Sequence, residues 1–163
     1  MGGDHEQRRA GIGRALAHVP SGLFILTAGR GPQATGMLAS WVCQCGFEPP
    51  ALTVALRRGR PIEDLIRREG MFCLAILDDS SKSLLAHFAR GFEPGEPAFT
   101  GIATAESHDG IPYPVAAHAH LQCRLLGCAD WSVHVVCGAE VIGGDGRLEL
   151  PPLVHVRKNG FSY

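Results

Sequence analysis

The chain has 163 residues, the size of one domain, with 45% hydrophobic and 19% charged residues. This composition excludes an intrinsically disordered protein. Basic residues number 15 and acidic residues 16, so the net charge is -1. Nucleic-acid binding through overall charge is therefore excluded.

No apolar run is long enough to span a bilayer, and residues 1–10 contain no hydrophobic signal core. We therefore expect a cytoplasmic protein. In that compartment all six cysteines are expected to be reduced thiols. They are Cys43, Cys45, Cys73, Cys123, Cys128 and Cys137.

Hydrophobic patterns and turn residues predict about seven strands and three short helices. The predicted helices are Glu6–Val19, Ile62–Arg68 and Ser80–Arg90. The predicted strands are Leu23–Ala28, Ala34–Cys45, Ala51–Leu56, Met71–Leu77, His120–Leu126, Val133–Ile142 and Val154–Arg157. Because strands and helices do not alternate strictly, we expect a closed or partly closed antiparallel barrel with the helices outside. We expect one domain over residues 1–163, with residues 1–10 flexible.

Three stretches add detail to this outline. Ile12, Leu16 and Val19 share one face of the first helix, and Ile62, Leu65 and Ile66 are expected to face inward from the second. The Gly- and Pro-rich stretch 91–114 is predicted to be a long surface excursion, a kind of loop that often serves as a lid or binding loop.

Several catalytic motifs are missing or incomplete. Residues 29–34 fit the dinucleotide pattern G-x-G-x-x-A after a strand, but Thr35, Gly36 and Ser40 follow where that motif requires a helix. We interpret the match as a hairpin turn. The chain has neither a G-x-S-x-G nucleophile elbow nor a G-x-x-x-x-G-K phosphate loop.

Histidines and cysteines are concentrated late in the chain, without the spacing of a zinc site. His118 and His120 lie on one face of a predicted strand, but no C-x-x-C pair accompanies them. The nearby residues of these types are Cys123, Cys128, His134 and Cys137. We expect buried thiols and surface histidines here, and no metal.

Arginines are concentrated between a strand end and a helix start. Arg57, Arg58 and Arg60 precede Pro61, which suits the first turn of a helix. Guanidinium groups and helix N-termini both bind phosphate. Upstream, the segment 35–41 offers small residues for the close approach of a flat ligand, hydroxyls for polar contacts and an aromatic ring for packing. Together these segments favour a phosphate-binding site.

The same segments resemble the flavin reductase-like family of FMN-binding split barrels. Residues Leu16–Ala28, which contain Val-Pro-Ser-Gly, are similar to the family's entry into its first strand. Met37–Val42 followed by Phe47–Pro50 (Phe-Glu-Pro-Pro) is similar to its flavin-binding signature. Cys128–Trp131 and His155–Tyr163 look like the later strands and tail, in particular those of the flavin reductase module in diflavin flavoproteins. The resemblance covers residues 13–163.

The resemblance implies a mainly β fold, a six- to seven-stranded antiparallel split barrel of Greek-key type with short flanking helices. It implies a homodimer that holds FMN, or FAD, near the subunit interface. It also implies NADH or NADPH as electron donor, and a redox partner protein or free flavin as acceptor. No nucleic-acid or membrane partner is expected.

The resemblance also implies roles for individual residues, although it assigns no catalytic side chain. The implied cofactor contacts are the backbone of Met37, Leu38 and Ala39 along the isoalloxazine, polar groups of Thr35 and Ser40, the neighbouring Trp41 and Gln44, and Arg57 and Arg60 at the phosphate. Trp131 lies at the position implied for the nicotinamide side.

Two positions depart from the family pattern and leave alternatives open. Many relatives have Ser or Thr where this chain has Gly46, a position that helps to hold the phosphate. Many have His where this chain has Trp131. The alternatives are an FMN-binding electron carrier that does not use NAD(P)H, a split barrel for pyridoxal phosphate or haem, and a structural dimer with a vacant pocket.

Overall fold

The computed structural model describes residues 2–147 and 149–162. The described residues form three α-helices, Gly2–Ala17 (α1), Pro61–Glu69 (α2) and Lys82–Phe88 (α3). The strands are Ser21–Gly22 (β1), Phe24–Ala28 (β2), Thr35–Ala39 (β3), Val42–Phe47 (β4), Pro50–Arg57 (β5), Met71–Ile76 (β6), Thr104–Glu106 (β7), Pro112–Pro114 (β8), Ala119–Trp131 (β9), His134–Gly146 (β10) and Val154–His155 (β11).

Seven strands form one sheet in the order β3-β2-β6-β9-β10-β5-β4. All six pairings within it are antiparallel. Strands β1 and β11 form a separate ribbon, and so do β7 and β8. The predicted mainly β, antiparallel architecture with short flanking helices is confirmed.

Alternating side chains of the sheet pack into two apolar cores. Leu26 lies in the larger core with Val54 and Phe72, whereas its neighbour Ile25 lies in the second core with Phe88 of α3. This alternation is the period-two geometry of a strand covered on both faces. Each fully buried side chain of this size stabilises the fold by roughly 1.5–3 kcal/mol.

Helix α2 covers the larger core as the sequence pattern predicts. Ile62, Leu65 and Ile66 are all 3% exposed or less. Gly70 ends the helix in the left-handed conformation at φ 68° and donates its N–H to the carbonyl of Ile66. That geometry favours glycine, because a Cβ is strained at positive φ.

Helix α1 packs differently from its apolar pattern. Ile12, Leu16 and Val19 are 40–56% exposed, and the buried positions of the helix are Gly13 and Ala17. Small residues face the protein because the C-terminal tail lies directly against the helix, with Gly160 N–H bonded to the carbonyl of Gly13 at 2.9 Å. The apolar face therefore remains largely exposed.

The predicted strand Ala34–Cys45 is wrong in its extent. It contains two strands, β3 and β4, which lie at opposite edges of the seven-stranded sheet. The chain leaves the sheet at Ser40 and Trp41 and returns on the far side, where the carbonyl of Trp41 accepts the N–H of Ala55. A continuous apolar run does not reveal such a crossing, because both halves have strand character.

The prediction that all six cysteines are reduced thiols is wrong for two of them. Cys128 on β9 lies opposite Cys137 on β10, their Cα atoms are 4.0 Å apart, and they form a disulfide. Antiparallel register brings the two side chains together on one face of the hairpin. Cys73 and Cys123 are buried thiols, and Cys43 and Cys45 are exposed thiols on the edge strand β4.

The predicted surface excursion 91–114 is more ordered than expected. It contains strand β7 and all of β8, which pair with each other, and Ala98 and Ile111 within it are buried. Those contacts join it to the body of the protein. Within residues 2–147 and 149–162, no helix has both the length and the apolar character required to cross a membrane.

Candidate functional site

A cavity of about 180 Å³ lies between the edge strand β3, the start of α2 and the residues that follow α3. It is called the Met37 cavity below. Its lining residues are Met37, Arg60, Pro61, Ile62, Arg90, Gly91, Phe92, Glu93 and Glu96. The guanidinium groups of Arg60 and Arg90 and the carboxylates of Glu93 and Glu96 thus border the cavity. Its wall also includes the apolar side chain of Met37.

Arg60 is placed in this cavity by the start of α2. It occupies the N-cap position, Pro61 begins the helix, and Gly59 makes the preceding turn at φ 78°. The buried carboxylate of Glu63 accepts the Gly59 N–H at 3.2 Å and pairs with Arg67 at 3.0 Å. The positive end of the helix and the Arg60 side chain therefore meet at one wall of the cavity.

The first residues of the 91–114 excursion form the opposite wall. Thr35 on β3 donates its hydroxyl to the carbonyl of Phe92 at 2.6 Å, which holds the segment against the strand. The Arg90 guanidinium lies 3.9 Å from the centroid of the Phe92 ring and 3.5 Å from the Glu96 carboxylate. His87 stacks on the same ring at 5.1 Å and contacts the carbonyl of Ala98 at 2.7 Å.

The predicted cofactor residues of β3 differ in accessibility. Met37 and Leu38 are half-buried, whereas Thr35 and Ala39 are buried and the Thr35 hydroxyl already bonds to Phe92. A Cβ on Gly36 would lie 2.8 Å from the Phe88 ring, so this small residue accommodates α3. The backbone of β3 has a sheet partner on one side only, because the strand is at the edge of the sheet.

Ser40 follows β3 and carries an unsatisfied hydroxyl. The residue is 7% exposed, and its Oγ has no hydrogen-bond partner among residues 2–147 and 149–162. A buried polar group without a partner costs roughly 1–3 kcal/mol. Such a group is a natural contact for a polar ligand, and Ser40 is one of the predicted cofactor residues.

A second group of residues, three of them predicted from the sequence, lies around the β9–β10 turn and is called the hairpin cluster. It comprises Trp41, Arg57, Trp131 and His134. The ring centroids of Trp41 and His134 are 4.7 Å apart, and His134 lies opposite both Arg57 and Trp131 in the sheet. Arg157 of the tail lies over Trp41 at 5.3 Å.

The electrostatics of this cluster keep its imidazole neutral. Burial lowers the pKa of His134, and the positive charge of Arg57 lowers it further. The Nε2 atom is buried without a hydrogen-bond partner among the described residues. A neutral imidazole offers either a donor or an acceptor to a ligand at this position.

The structure therefore divides the predicted site. Met37 and Arg60 border one cavity, whereas Trp41, Arg57 and Trp131 belong to the hairpin cluster. Gln44 is exposed on β4 and donates to the carbonyl of Gly46 at 3.2 Å.

Three residues of these two groups were missed from the sequence: Arg90, Phe92 and His134. Arg90 ends a predicted helix and Phe92 lies in the predicted excursion, and neither position carries a sequence signal for a binding site. His134 had a usable signal. It is separated from Trp131 by a two-residue turn, which places the two residues opposite each other.

Gly46, one of the two departures from the family pattern, lies at an irregularity in the β4–β5 pairing. A Cβ there would lie 3.0 Å from the Ala51 Cβ and 3.1 Å from the Pro49 carbonyl oxygen. A Ser or Thr side chain is therefore crowded at this position. Crowding at this bulge accounts for glycine at position 46, whether or not a ligand also contacts it.

The late histidines have structural partners. The Nδ1 atom of His118 lies 3.3 Å from a carboxylate oxygen of the buried Asp78. His120 stacks on Tyr113 with ring centroids 4.0 Å apart. Cys128 and Cys137 form the disulfide, so their sulfurs are not available as thiolate ligands beside these histidines.

Comparison with known proteins adds independent findings. A family model described as flavin reductase like domain matches residues 16–162. Diflavin flavoprotein A 1 of Synechocystis sp. is 36% identical over 152 residues, which cover 92% of this chain and 26% of that protein. The chain thus spans about a quarter of the length of this curated relative.

Solved structures share the fold at low sequence identity. The NADH:FAD oxidoreductase SgcE6 of Streptomyces globisporus C-1027 has a TM-score of 0.80 at 20% identity, covering 92% of this chain and 87% of that chain. The FMN-binding protein of Thermus thermophilus with bound p-hydroxybenzaldehyde has a TM-score of 0.76 at 16% identity, covering 86% and 84%. The split-barrel prediction is confirmed.

Proposed function

We propose that this chain, which belongs to the flavin reductase-like domain family, binds FMN at the Met37 cavity. We further propose that it works as an NAD(P)H-dependent flavin reductase. One observation carries this proposal. An edge strand of small and apolar residues meets an arginine at a helix N-terminus across a cavity of about 180 Å³. Family membership supports a flavoprotein oxidoreductase, and the cavity supports the choice of a phosphate-bearing flavin.

The groups around the cavity fit such a cofactor. Arg60, the N-terminus of α2 and Arg90 offer positive charge for a phosphate. Ser40, which follows β3 and does not border the cavity, offers a further polar contact through a hydroxyl that has no partner among the described residues. Because sites for whole ligands usually measure roughly 300–1,000 Å³, we assign the Met37 cavity to the phosphate end of FMN. The flavin ring would then extend beyond it.

Binding a phosphate here requires a local exchange of partners. Arg90 pairs with Glu96 at 3.5 Å, and Glu93 also borders the cavity. A phosphate would take the place of the Glu96 carboxylate on Arg90. Segment 91–96 would then cover the phosphate, and its position would change when the cofactor binds.

The chemistry of a bound flavin is uptake of hydride from a reduced nicotinamide, followed by release of electrons to an acceptor. The protein positions both rings and excludes water. Because β3 is an edge strand, the backbone groups of alternate residues within Met37–Ala39 point away from β2 and are available to the polar edge of the flavin. The exposed Trp131, with the neutral His134 opposite it, provides a stacking and hydrogen-bonding surface on the nicotinamide side.

A homodimer is part of this proposal. Apolar side chains are strongly exposed on the sheet and its hairpin, namely Phe47 at 88%, Leu126 at 65%, Trp131 at 66% and Val133 at 64%. Exposed apolar patches of this kind mark association surfaces.

The FMN assignment is tested by comparing two arginines of the same loop. Arg60→Ala removes a charge from the cavity and is expected to raise the FMN dissociation constant at least tenfold, measured by quenching of flavin fluorescence. Arg58→Ala is the matched control, because Arg58 pairs with Asp130 at 3.5 Å and does not border the cavity. Equal effects of the two substitutions would disprove the placement of the phosphate.

A second function is favoured by one residue. Trp131 stands where many relatives of this family have histidine, so the chain is alternatively an FMN-binding electron carrier that takes no hydride from NAD(P)H. The two functions differ in whether nicotinamide reduces the bound flavin directly.

A further inference from the structure

A second cavity, of about 370 Å³, lies between α1 and the C-terminal tail. It is called the tail hollow, and it is bordered by Glu6, Arg9, Gly13 and Arg14 of α1 and by Lys158 and Phe161 of the tail. None of these residues borders the Met37 cavity. The volume lies within the range of roughly 300–1,000 Å³ that small-molecule sites occupy.

The tail hollow is held in place by specific contacts between tail and helix. Gly160 donates its N–H to the carbonyl of Gly13 at 2.9 Å, and the Arg157 guanidinium donates to the carbonyl of Leu16 at 3.0 Å. A Cβ on Gly160 would lie 2.3 Å from the Leu16 Cβ, so only glycine permits this approach. The two walls are therefore fixed relative to each other.

The charges that border the hollow are unbalanced. Among the described residues that border it, Arg9, Arg14 and Lys158 face one carboxylate, that of Glu6. In the part of the chain that the structure describes, none of these four side chains takes part in an ion pair. The Arg9 guanidinium lies 4.4 Å from the centroid of the half-exposed Phe161 ring, which adds a flat surface to the positive one. These features suit an aromatic ligand that carries phosphate.

The tail connects this hollow to the hairpin cluster. Lys158 follows Arg157, which lies over the Trp41 ring at 5.3 Å, and Trp41 in turn contacts His134 opposite Trp131. The tail segment that borders the hollow therefore also reaches the hairpin cluster, where Arg157, Trp41 and His134 are in contact. An extended dinucleotide has this combination of two rings joined by phosphates.

We infer that the tail hollow binds the adenosine end of NADPH and that Arg14 and Lys158 recognise its 2′-phosphate. The inference rests on the proposed use of a nicotinamide donor, and it specifies which donor is preferred. NADH lacks the 2′-phosphate, so it leaves both cations without a partner. NADPH is therefore the better donor.

The test is a calorimetric titration of the FMN-saturated full chain with adenosine 2′,5′-bisphosphate and, separately, with adenosine 5′-monophosphate. The bisphosphate is expected to bind at least tenfold more tightly, and Arg14→Ala together with Lys158→Ala is expected to abolish that difference. Arg8→Ala is the matched control, because Arg8 is an exposed arginine of the same helix outside the hollow. Glu6→Gln removes the opposing carboxylate and is expected to tighten binding of the bisphosphate.

Two results would overturn the inference. One is equal binding of the two nucleotides, and the other is a loss in Arg8→Ala as large as that in the double variant. Circular dichroism of each variant verifies folding. Flavin fluorescence in the same samples reports FMN binding separately, so failure of the flavin proposal is visible independently of failure at the tail hollow.

Discussion

The buried carboxylate of Asp78 illustrates how much one side chain organises in this fold. It accepts the N–H groups of Ser80 at 2.9 Å and Ser81 at 3.0 Å, and it faces His118 at 3.3 Å. The Ser80 hydroxyl, donating at 2.6 Å, is the largest cause that holds the pKa of Asp78 below its ordinary value of 3.8. Asp78 thereby fixes the turn that leads into α3, the helix whose Phe88 fills the second core.

This network predicts a specific acid response. Because the folded-state pKa of Asp78 lies below the ordinary value of 3.8, the stabilisation that this carboxylate provides is fully present above that value. It is lost as the pH falls through the folded-state pKa. Asp78→Ala is expected to lower the free energy of unfolding by about 1–3 kcal/mol at pH 7 in urea titrations, and less near pH 2.

The neighbouring Asp79 supplies the control. Its carboxylate is 75% exposed and pairs with Lys82 at 2.9 Å. Removal of such a surface pair is expected to cost about 0.5 kcal/mol or less. Equal losses in Asp78→Ala and Asp79→Ala, or a loss from Asp78→Ala that does not change with pH, would contradict this account.

At the scale of elements, the β9–β10 hairpin was more predictable than the β3–β4 crossing. A turn of two residues pairs Trp131 with His134, and counting back three residues on each strand pairs Cys128 with Cys137. The disulfide was therefore implicit in the sequence, once the turn was assigned. No such local rule shows that the chain leaves the sheet at Ser40. Strands β3 and β4 each pair with a sequence neighbour, β2 and β5, and the strands that separate these two hairpins, β6, β9 and β10, come later in the chain.

The hairpin predicts a thiol count. The denatured protein is expected to show four reactive thiols before reduction and six after it. Replacing Cys128 and Cys137 together by serine is expected to lower the free energy of unfolding by about 2–4 kcal/mol. Cys43→Ser is the control, because that thiol is exposed, and it is expected to leave stability unchanged. Six thiols without reductant would exclude the disulfide.

At the scale of the whole molecule, the fold was predictable and the arrangement of the site was not. Alternating apolar strands and the Ile62, Leu65 and Ile66 pattern identified the sheet and α2 correctly. Arg57 and Arg60 are only three positions apart, yet one joins the hairpin cluster and the other the Met37 cavity. The end of β5 and the Gly59 turn lie between the two residues, so their side chains reach different parts of the protein. Their spacing along the chain does not reveal this difference.

The exposed apolar surface predicts association of two copies. Sedimentation analysis is expected to give twice the mass of the chain, and Leu126→Asp is expected to shift the protein towards monomer, because a charge would be buried at the interface. Val115→Asp, at an exposed apolar residue that follows the 91–114 excursion, is expected to leave the mass unchanged. A monomeric parent protein at micromolar concentration would refute the dimer.

The most direct measurement of the central claim is an anaerobic absorbance titration of the FMN-saturated protein with NADPH and, separately, with NADH. Bound flavin is expected to be bleached, with NADPH effective at a lower concentration than NADH. Bound flavin that stays oxidised with both donors would contradict the reductase and leave the electron carrier. Failure to bind FMN at all would contradict both functions.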